Sequence, residues 1–396
     1  MSSLLLLVGI AVAAFVGYNV GGATTGVAFG PAVGAGVVSK LVAGVLMAVC
    51  FFAGGWTLGR NVVETLGGRI VPAELFTLEV SIGVLFFIGV ALLVSNMFGV
   101  PASTSMTAVG AIAGLGLATG RLDWAVMGRI VSWWFVAPII AFWVSAVVGR
   151  YFYPAIDRWV AIDRSGGGLF ALDQSGAVPR PALGPGTTRR EATGAVLVVL
   201  IGCYMAFSSG ASNTANAVAP LVGSEAVAME PAILLAGVAT GLGAVTIARR
   251  TLETVGNDLT DLPITAAIVV AVISATIISA LSALGIPASF VVVATMSIVG
   301  LGWGRATRTA TLPGTVRGEE PAVSLGALDA DETPRVGNEA DGRGDEAPPI
   351  GAEEPEDLPD SDDLFEPHRT ARVILMQNLV PSVATAGAYA VFSVLL

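Results

Sequence analysis

The chain has 396 residues, of which 54% are hydrophobic and 13% are charged, about half the charged share usual for a soluble domain. This composition excludes an ordinary soluble enzyme, a disordered protein and a nucleic-acid binder. The net charge of −10 arises in one segment, because residues 319–366 hold 17 Asp and Glu residues against two arginines.

Long stretches without any charged residue fix the class of the protein. A helix that spans a membrane needs about 20 apolar residues. The sequence therefore predicts an all-α polytopic protein of the cell membrane, with about ten membrane elements and the lipid bilayer as its surroundings. The charge-free stretches are 1–39, 41–59, 80–120, 130–149, 192–224, 231–248, 262–304 and 373–396.

The polar interruptions divide the chain into five parts. Segments rich in Gly, Pro and acidic residues cannot bury enough apolar surface to offset the entropy lost on ordering, which predicts a disordered acidic loop. We expect a first membrane repeat at 1–150, a polar linker at 151–191, a second repeat at 192–304, the acidic loop at 305–369 and a final membrane helix at 370–396.

The two halves of the chain repeat each other. An offset of 189 places residues 21–28 on 210–217, and an offset of 186 places residues 99–103 on 285–289. A duplicated membrane unit with broken helices is typical of secondary transporters, whose sites form near the bilayer midplane where the repeats meet. An odd number of crossings in each half would make the two repeats inverted.

The first repeated motif is rich in small and polar residues inside a charge-free stretch. Its polar members are Thr24 and Thr25 in one half and Ser212, Asn213 and Asn216 in the other. A helix broken at this depth must line a protein cavity, and its free N–H groups would attract an anion. The alternative interpretation is close packing of helices through small residues.

The second repeated motif combines proline with hydroxyl side chains. Pro101 is followed by Ser103, Thr104 and Ser105, and in the second half Ser289 follows a proline in the same way. Proline ends one helix and favours the start of the next, so these hydroxyls would lie at a helix N-terminus and could bind an oxyanion. The alternative is a proline kink whose hydroxyls bond to the preceding turn.

Two acidic residues, Glu64 and Glu253, occupy matching places near the ends of apolar stretches. Each follows an arginine by four residues, which places both charges on one helix face. They are candidates for binding a coupling cation or proton. An interfacial ion pair is the alternative.

These motifs resemble the inorganic phosphate transporter (PiT) family, whose halves each carry G-A-N-D-V-A-N-A and G-[LI]-P-V-S-T-T-H signatures. Residues 210–217 read Gly-Ala-Ser-Asn-Thr-Ala-Asn-Ala, and residues 101–106 read Pro-Ala-Ser-Thr-Ser-Met. The family's V-x-E-T-[IV] stretch has counterparts at 62–66 and 251–255. The resemblance implies a secondary transporter that moves inorganic phosphate by alternating access, coupled to Na⁺ or H⁺, without catalysis or an organic cofactor.

The sequence departs from the family at charged positions. The family aspartate is replaced by Thr24 and Asn213, and the family histidine by Met106 and Val292. A neutral site would repel an anion less, so another oxyanion such as sulfate is an alternative substrate. A transport-inactive paralogue with a sensing or scaffold role is a further alternative. The small-residue faces are compatible with a homodimer.

Overall fold

The computed structural model describes residues 2–34, 36–97, 103–160, 170–173, 180–183, 189–246, 264–308 and 367–396. Three features singled out above lie outside the described residues. They are Glu253, residues 99–102 of the second motif, and the acidic segment 319–366.

The first half consists of helices joined by short connections. Asp123 begins its last long helix, because its carboxylate accepts hydrogen bonds from the Ala125 and Val126 backbone N–H groups at 2.9 Å. The elements are α1 Ser2–Gly34, α2 Lys40–Gly54, a π-helical turn Gly55–Gly59, α3 Arg60–Gly68, a 3₁₀ turn Ala73–Leu75, α4 Leu78–Met97, α5 Thr104–Ala118, α6 Trp124–Val147, a π-helical turn Val148–Phe152 and α7 Tyr153–Val160.

The second half repeats this order after the linker. The described linker residues hold two short antiparallel strands, β1 Phe170–Asp173 and β2 Arg180–Leu183, and the regular elements in the rest of the described ranges are helical. The helices that follow are α8 Arg189–Gly223, α9 Met229–Thr246, α10 Ile264–Ala283, α11 Phe290–Ala306 and α12 Pro367–Leu395.

The number of membrane elements agrees with the sequence prediction. Among the described residues, eight helices are long and apolar enough to cross a bilayer, and α5 and α11 are shorter apolar helices. Together these are ten membrane elements in a multi-pass protein. Each half contributes four long helices and one short helix.

The two halves are inverted with respect to each other. Gly9, near the start of α1, packs against Leu221 near the end of α8, whereas Phe29 near the end of α1 packs against Gly202 near the start of α8. Helices α1 and α8 are therefore antiparallel. Because they are matching elements of the repeat, the inversion considered from the sequence is confirmed.

Glycine contacts bring the halves together, and they occur in matched pairs. At each glycine a β-carbon would overlap a backbone carbonyl oxygen of the facing helix, so a larger residue would force the helices apart. The four contacts are Gly21 on Thr240, Gly210 on Phe51, Gly54 on Phe207 and Gly243 on Tyr18. The repeat offset of 189 relates Gly21 to Gly210 and Phe51 to Thr240, so the first contact matches the second. The same offset matches the third contact with the fourth.

The last long helix of each half packs against the short helix of the other half. Gly114 of α5 contacts Thr385 of α12, and Gly300 of α11 contacts Phe142 of α6. The two glycines are 186 residues apart, but their partners are 243 apart. The chain therefore has 57 extra residues between α11 and α12, in the region of the acidic segment.

Replacement of Gly243 by alanine tests the close contact between the halves. The added methyl group overlaps the Tyr18 carbonyl, and overpacking of this kind costs about 1–3 kcal/mol of unfolding free energy. We expect a lower melting temperature in detergent for Gly243→Ala. The matched control is Gly128→Ala, since a β-carbon there meets nothing within 4 Å. Equal melting temperatures for the two variants would contradict the proposed contact.

Candidate functional site

A partly open cavity lies where the two halves meet. Its volume is about 450 Å³, including the part open to solvent. It is bounded by α1 and α8, the long helices that carry the first motif, and by the starts of α5 and α11, which carry the second. The lining residues are Ala23, Thr24, Ala28, Ser103, Thr104, Met205, Ser209, Asn213, Ser289, Phe290 and Val291.

Two serines begin the short helices on the cavity wall. Ser103 Oγ accepts a hydrogen bond from the Met106 backbone N–H at 3.1 Å, and Ser289 Oγ accepts one from the Val292 N–H at 3.3 Å. Both serines are buried. Because each oxygen is held by its own helix, each hydroxyl hydrogen remains available for donation to a bound molecule.

An amide side chain of α8 links the two motifs. Asn213 Oδ1 accepts hydrogen bonds from Thr104 Oγ1 and from Asn216 Nδ2, the latter at 3.0 Å. Asn213 Nδ2 donates to Ser209 Oγ at 3.2 Å. Both lone pairs of the Asn213 oxygen are therefore occupied, and the cavity gains a fixed, uncharged polar wall.

A second layer of polar side chains lies behind this wall. Ser105 Oγ and Ser212 Oγ are 3.3 Å apart, and Ser212 Oγ donates to the Ala288 carbonyl at 3.1 Å. Asn216 Nδ2 donates to Ser105 Oγ at 3.4 Å, whereas Asn216 Oδ1 is buried without a hydrogen-bond partner. Helix α8 is thus bonded to the beginnings of both short helices, and one buried oxygen remains free to accept.

The two threonines of the first motif differ in position. Thr24 lines the cavity, and its hydroxyl donates to the Val20 carbonyl at 2.8 Å, which leaves its oxygen as an acceptor. Thr25 is buried and donates to the Gly21 carbonyl at 2.7 Å, and it is not among the lining residues. Both hydroxyls bond to the preceding turn of α1, which is continuous from Ser2 to Gly34, so the first motif does not break this helix.

The acidic candidate Glu64 lies away from the cavity. Its carboxylate is half-exposed and pairs with Arg69 at 2.7 Å. Arg60, four residues earlier, pairs instead with Glu230 at 3.1 Å. The interfacial ion pair considered from the sequence therefore describes Glu64 in this structure, although with a different arginine.

The sequence motifs did not include Ser209, which also lines the cavity. It precedes Asn213 by one helical turn and therefore shares its face of α8. This four-residue spacing from Asn213 is the sequence signal that could have identified Ser209. Phe290, Val291 and Met205 add an apolar portion of the wall that the motifs did not indicate either.

Comparison with known proteins agrees with this architecture. A model described as the Phosphate transporter family matches residues 20–326. The chain belongs to this family. A solved structure titled "The sodium-dependent phosphate transporter" has a TM-score of 0.66 and 17% identity, with 99% of each chain covered, and it shows the shared fold.

Two curated relatives carry different substrate names. The protein "Sulfate permease CysP" of Bacillus subtilis (strain 168) is 30% identical over 292 residues, which are 74% of this chain and 75% of the relative. A "Putative phosphate permease" of Chlamydia muridarum is 27% identical, with 78% of this chain and 92% of the relative covered. The chain is similar to both proteins over most of its length.

Proposed function

We propose that the cavity between the inverted halves binds inorganic phosphate during its transport across the cell membrane. The observation that carries this proposal is the pair Ser103 and Ser289, which begin matching short helices and border the same cavity. Each helix start offers free N–H groups and a hydroxyl donor, and such groups bind an oxyanion without a fixed positive charge. No covalent step and no catalytic residue are needed.

Alternating access would follow from the inverted repeat. In such folds one set of helices rocks against the other around a fixed central site. The cavity is bounded by elements of both halves, so a relative movement of the halves opens one side as it closes the other. The glycine contacts between α1 and α9, and between α2 and α8, bring backbone against backbone, so these helix pairs form the closely packed surfaces at which the halves would move.

Asn213 and Asn216 are the sequence candidates for the coupling ion, and we place the ion beside the anion at the neutral Oδ1 of Asn216, since both lone pairs of Asn213 Oδ1 are occupied. Asn216 Oδ1 is buried and unpartnered, as an oxygen ligand waiting for a cation would be. The residues that line the cavity include no side chain that titrates near neutral pH. A proton would require such a group, so these contacts favour Na⁺.

Replacement of Na⁺ by K⁺ tests the coupling in reconstituted vesicles. We expect phosphate uptake to fall at least about tenfold without Na⁺, since the larger K⁺ does not fit oxygens that are spaced for Na⁺. Dissipating the proton gradient at constant Na⁺ is the matched control and should leave the initial rate unchanged. The reverse pattern would identify a proton as the coupling ion.

Substitution of the two helix-start serines tests the anion site itself. Ser103→Ala and Ser289→Ala each remove one donor, and a hydrogen bond to a charged group is worth about 1.5–3 kcal/mol. We expect the KM for uptake of radiolabelled phosphate to rise about tenfold or more, with normal expression. Ser132→Ala is the control, because this exposed hydroxyl bonds only to the Gly128 carbonyl of its own helix. Unchanged KM values would remove both serines from the site.

Sulfate is the second candidate substrate. The Bacillus subtilis relative, which is 30% identical to this chain, is named a sulfate permease. The hydrogen bonds also favour it, because phosphate carries a proton at neutral pH and needs an acceptor in its site, whereas sulfate needs donors only. Both lone pairs of Asn213 Oδ1 are already taken by Thr104 and Asn216, so this oxygen offers phosphate no acceptor.

Asn213→Asp separates the two anions. The substitution restores the family carboxylate, which accepts from a protonated phosphate and repels sulfate. In competition uptake we expect the preference for phosphate over sulfate to increase about tenfold. Asn378→Asp, at an exposed position of α12, is the control for added charge. A preference that does not change would exclude Asn213 from anion selection. If vesicles with the wild-type chain take up neither anion, a transport-inactive paralogue is favoured.

A further inference from the structure

The turn that precedes α11 places Ser289 in the cavity. It begins after α10 at Gly285, whose φ of +70° is the left-handed conformation that glycine adopts readily. Two side chains from other helices then bond to its backbone. Ser212 Oγ donates to the Ala288 carbonyl at 3.1 Å, and the Trp134 indole N–H donates to the Pro287 carbonyl at 2.9 Å.

A second cavity lies behind this turn. It has a volume of about 210 Å³, including its open part, and it is lined by residues of α5, α6 and the start of α11. Ser289 borders both cavities, so the turn lies between them. Trp133, Trp134 and Pro138 form the α6 side of the second cavity. Of these, Trp134 is the residue that bonds to the turn.

Helix α6 is also weakened where Trp134 lies. Pro138 stands four residues later and has no backbone N–H to donate to the Trp134 carbonyl. A proline inside a helix is a usual place for a bend. Movement of α6 at this point would be passed to the turn through the indole hydrogen bond.

We propose that Trp134 is a positioning residue of the anion site: it holds the Pro287 carbonyl and thereby keeps the Ser289 hydroxyl directed into the cavity. This inference rests on the proposed role of Ser289 as an anion ligand. Without the indole N–H, the turn keeps only the Ser212 bond of its two side-chain hydrogen bonds, and Ser289 is held less firmly. Trp134 itself touches no substrate.

The matching position of the other half carries a comparable side chain. Pro138 and Pro381 are both inside the last long helix of their halves, 243 residues apart, and the same offset relates Trp134 to Gln377. Gln377 is buried, and its Nε2 has no hydrogen-bond partner. A side-chain donor therefore occurs at this position in both halves, partly buried at Trp134 and buried at Gln377, where apolar packing alone would be served better by a hydrocarbon side chain.

The decisive test removes the indole N–H and keeps the shape of the ring. Position 134 is replaced by β-(3-benzothienyl)alanine, in which sulfur takes the place of the N–H group, in the wild-type chain and in Ser289→Ala. Uptake of radiolabelled phosphate and of radiolabelled sulfate is measured in vesicles. We expect the KM to rise about 3- to 10-fold in the wild-type background, as loss of one hydrogen bond implies, and to stay the same in Ser289→Ala.

Equal increases in both backgrounds would overturn the proposal, because Trp134 would then act on the whole fold and not through Ser289. No increase in either background would overturn it as well. The control is Trp133→Phe, at a neighbouring position that lines the second cavity and should leave the KM within about twofold. If Ser289→Ala alone does not change the KM, Ser289 is not an anion ligand and the positioning role fails with it. If Ser289→Ala raises the KM but the analogue at position 134 does not, only the positioning role fails.

Discussion

The structure depends on one constraint, which is that a helix can begin inside a membrane protein only where its free N–H groups find partners. Lipid offers none, so an unsatisfied backbone group at this depth costs several kcal/mol. The starts of α5 and α11 meet this constraint partly through the side chains of Ser103 and Ser289, each of which accepts one N–H. Both helix starts border the partly open cavity between the halves. In the proposed site, a bound oxyanion would supply acceptors for the remaining donors, so stability and binding would have the same physical cause.

The exchange of helices between the halves explains why this cavity is central. Each short helix packs against the last long helix of the opposite half, and α1 and α8 pack against α9 and α2 in the same exchanged way. Neither half can then form its own core or its own site alone. The matched glycine contacts bring backbone against backbone in both of these helix pairs. An interface of this kind holds the halves together and still allows one half to shift against the other, which transport requires.

Sequence reasoning anticipated the repeat, the ten membrane elements and the meeting of Thr24, Ser103, Asn213 and Ser289 at one cavity. These features follow from local signals, namely long apolar stretches, residue spacing and proline followed by hydroxyls. It also assigned Thr25 to the site, but Thr25 does not line the cavity beside Thr24, since one residue along a helix turns a side chain by about 100°. The partner of Glu64 was also beyond reach, because Arg69 competes with Arg60 for it. Trp134 was missed because its bond to Pro287 joins residues far apart in sequence, and the 57 extra residues hide its correspondence to Gln377.

The neutral cavity changes how an anion and a cation can depend on each other. A carboxylate about 4 Å from a dianion would repel it by several kcal/mol at the effective dielectric of a protein, so a site with aspartates admits the anion only when cations neutralise them. Here the corresponding residues, Thr24 and Asn213, carry no charge, and the anion can enter without that neutralisation. Any coupling between cation and anion must therefore act through the positions of the side chains and not through neutralisation of a carboxylate. Asn213 contacts both Thr104 at the start of α5 and Asn216 with its free oxygen. A cation drawn to Asn216 would orient this amide pair and so fix the donor groups that the anion uses.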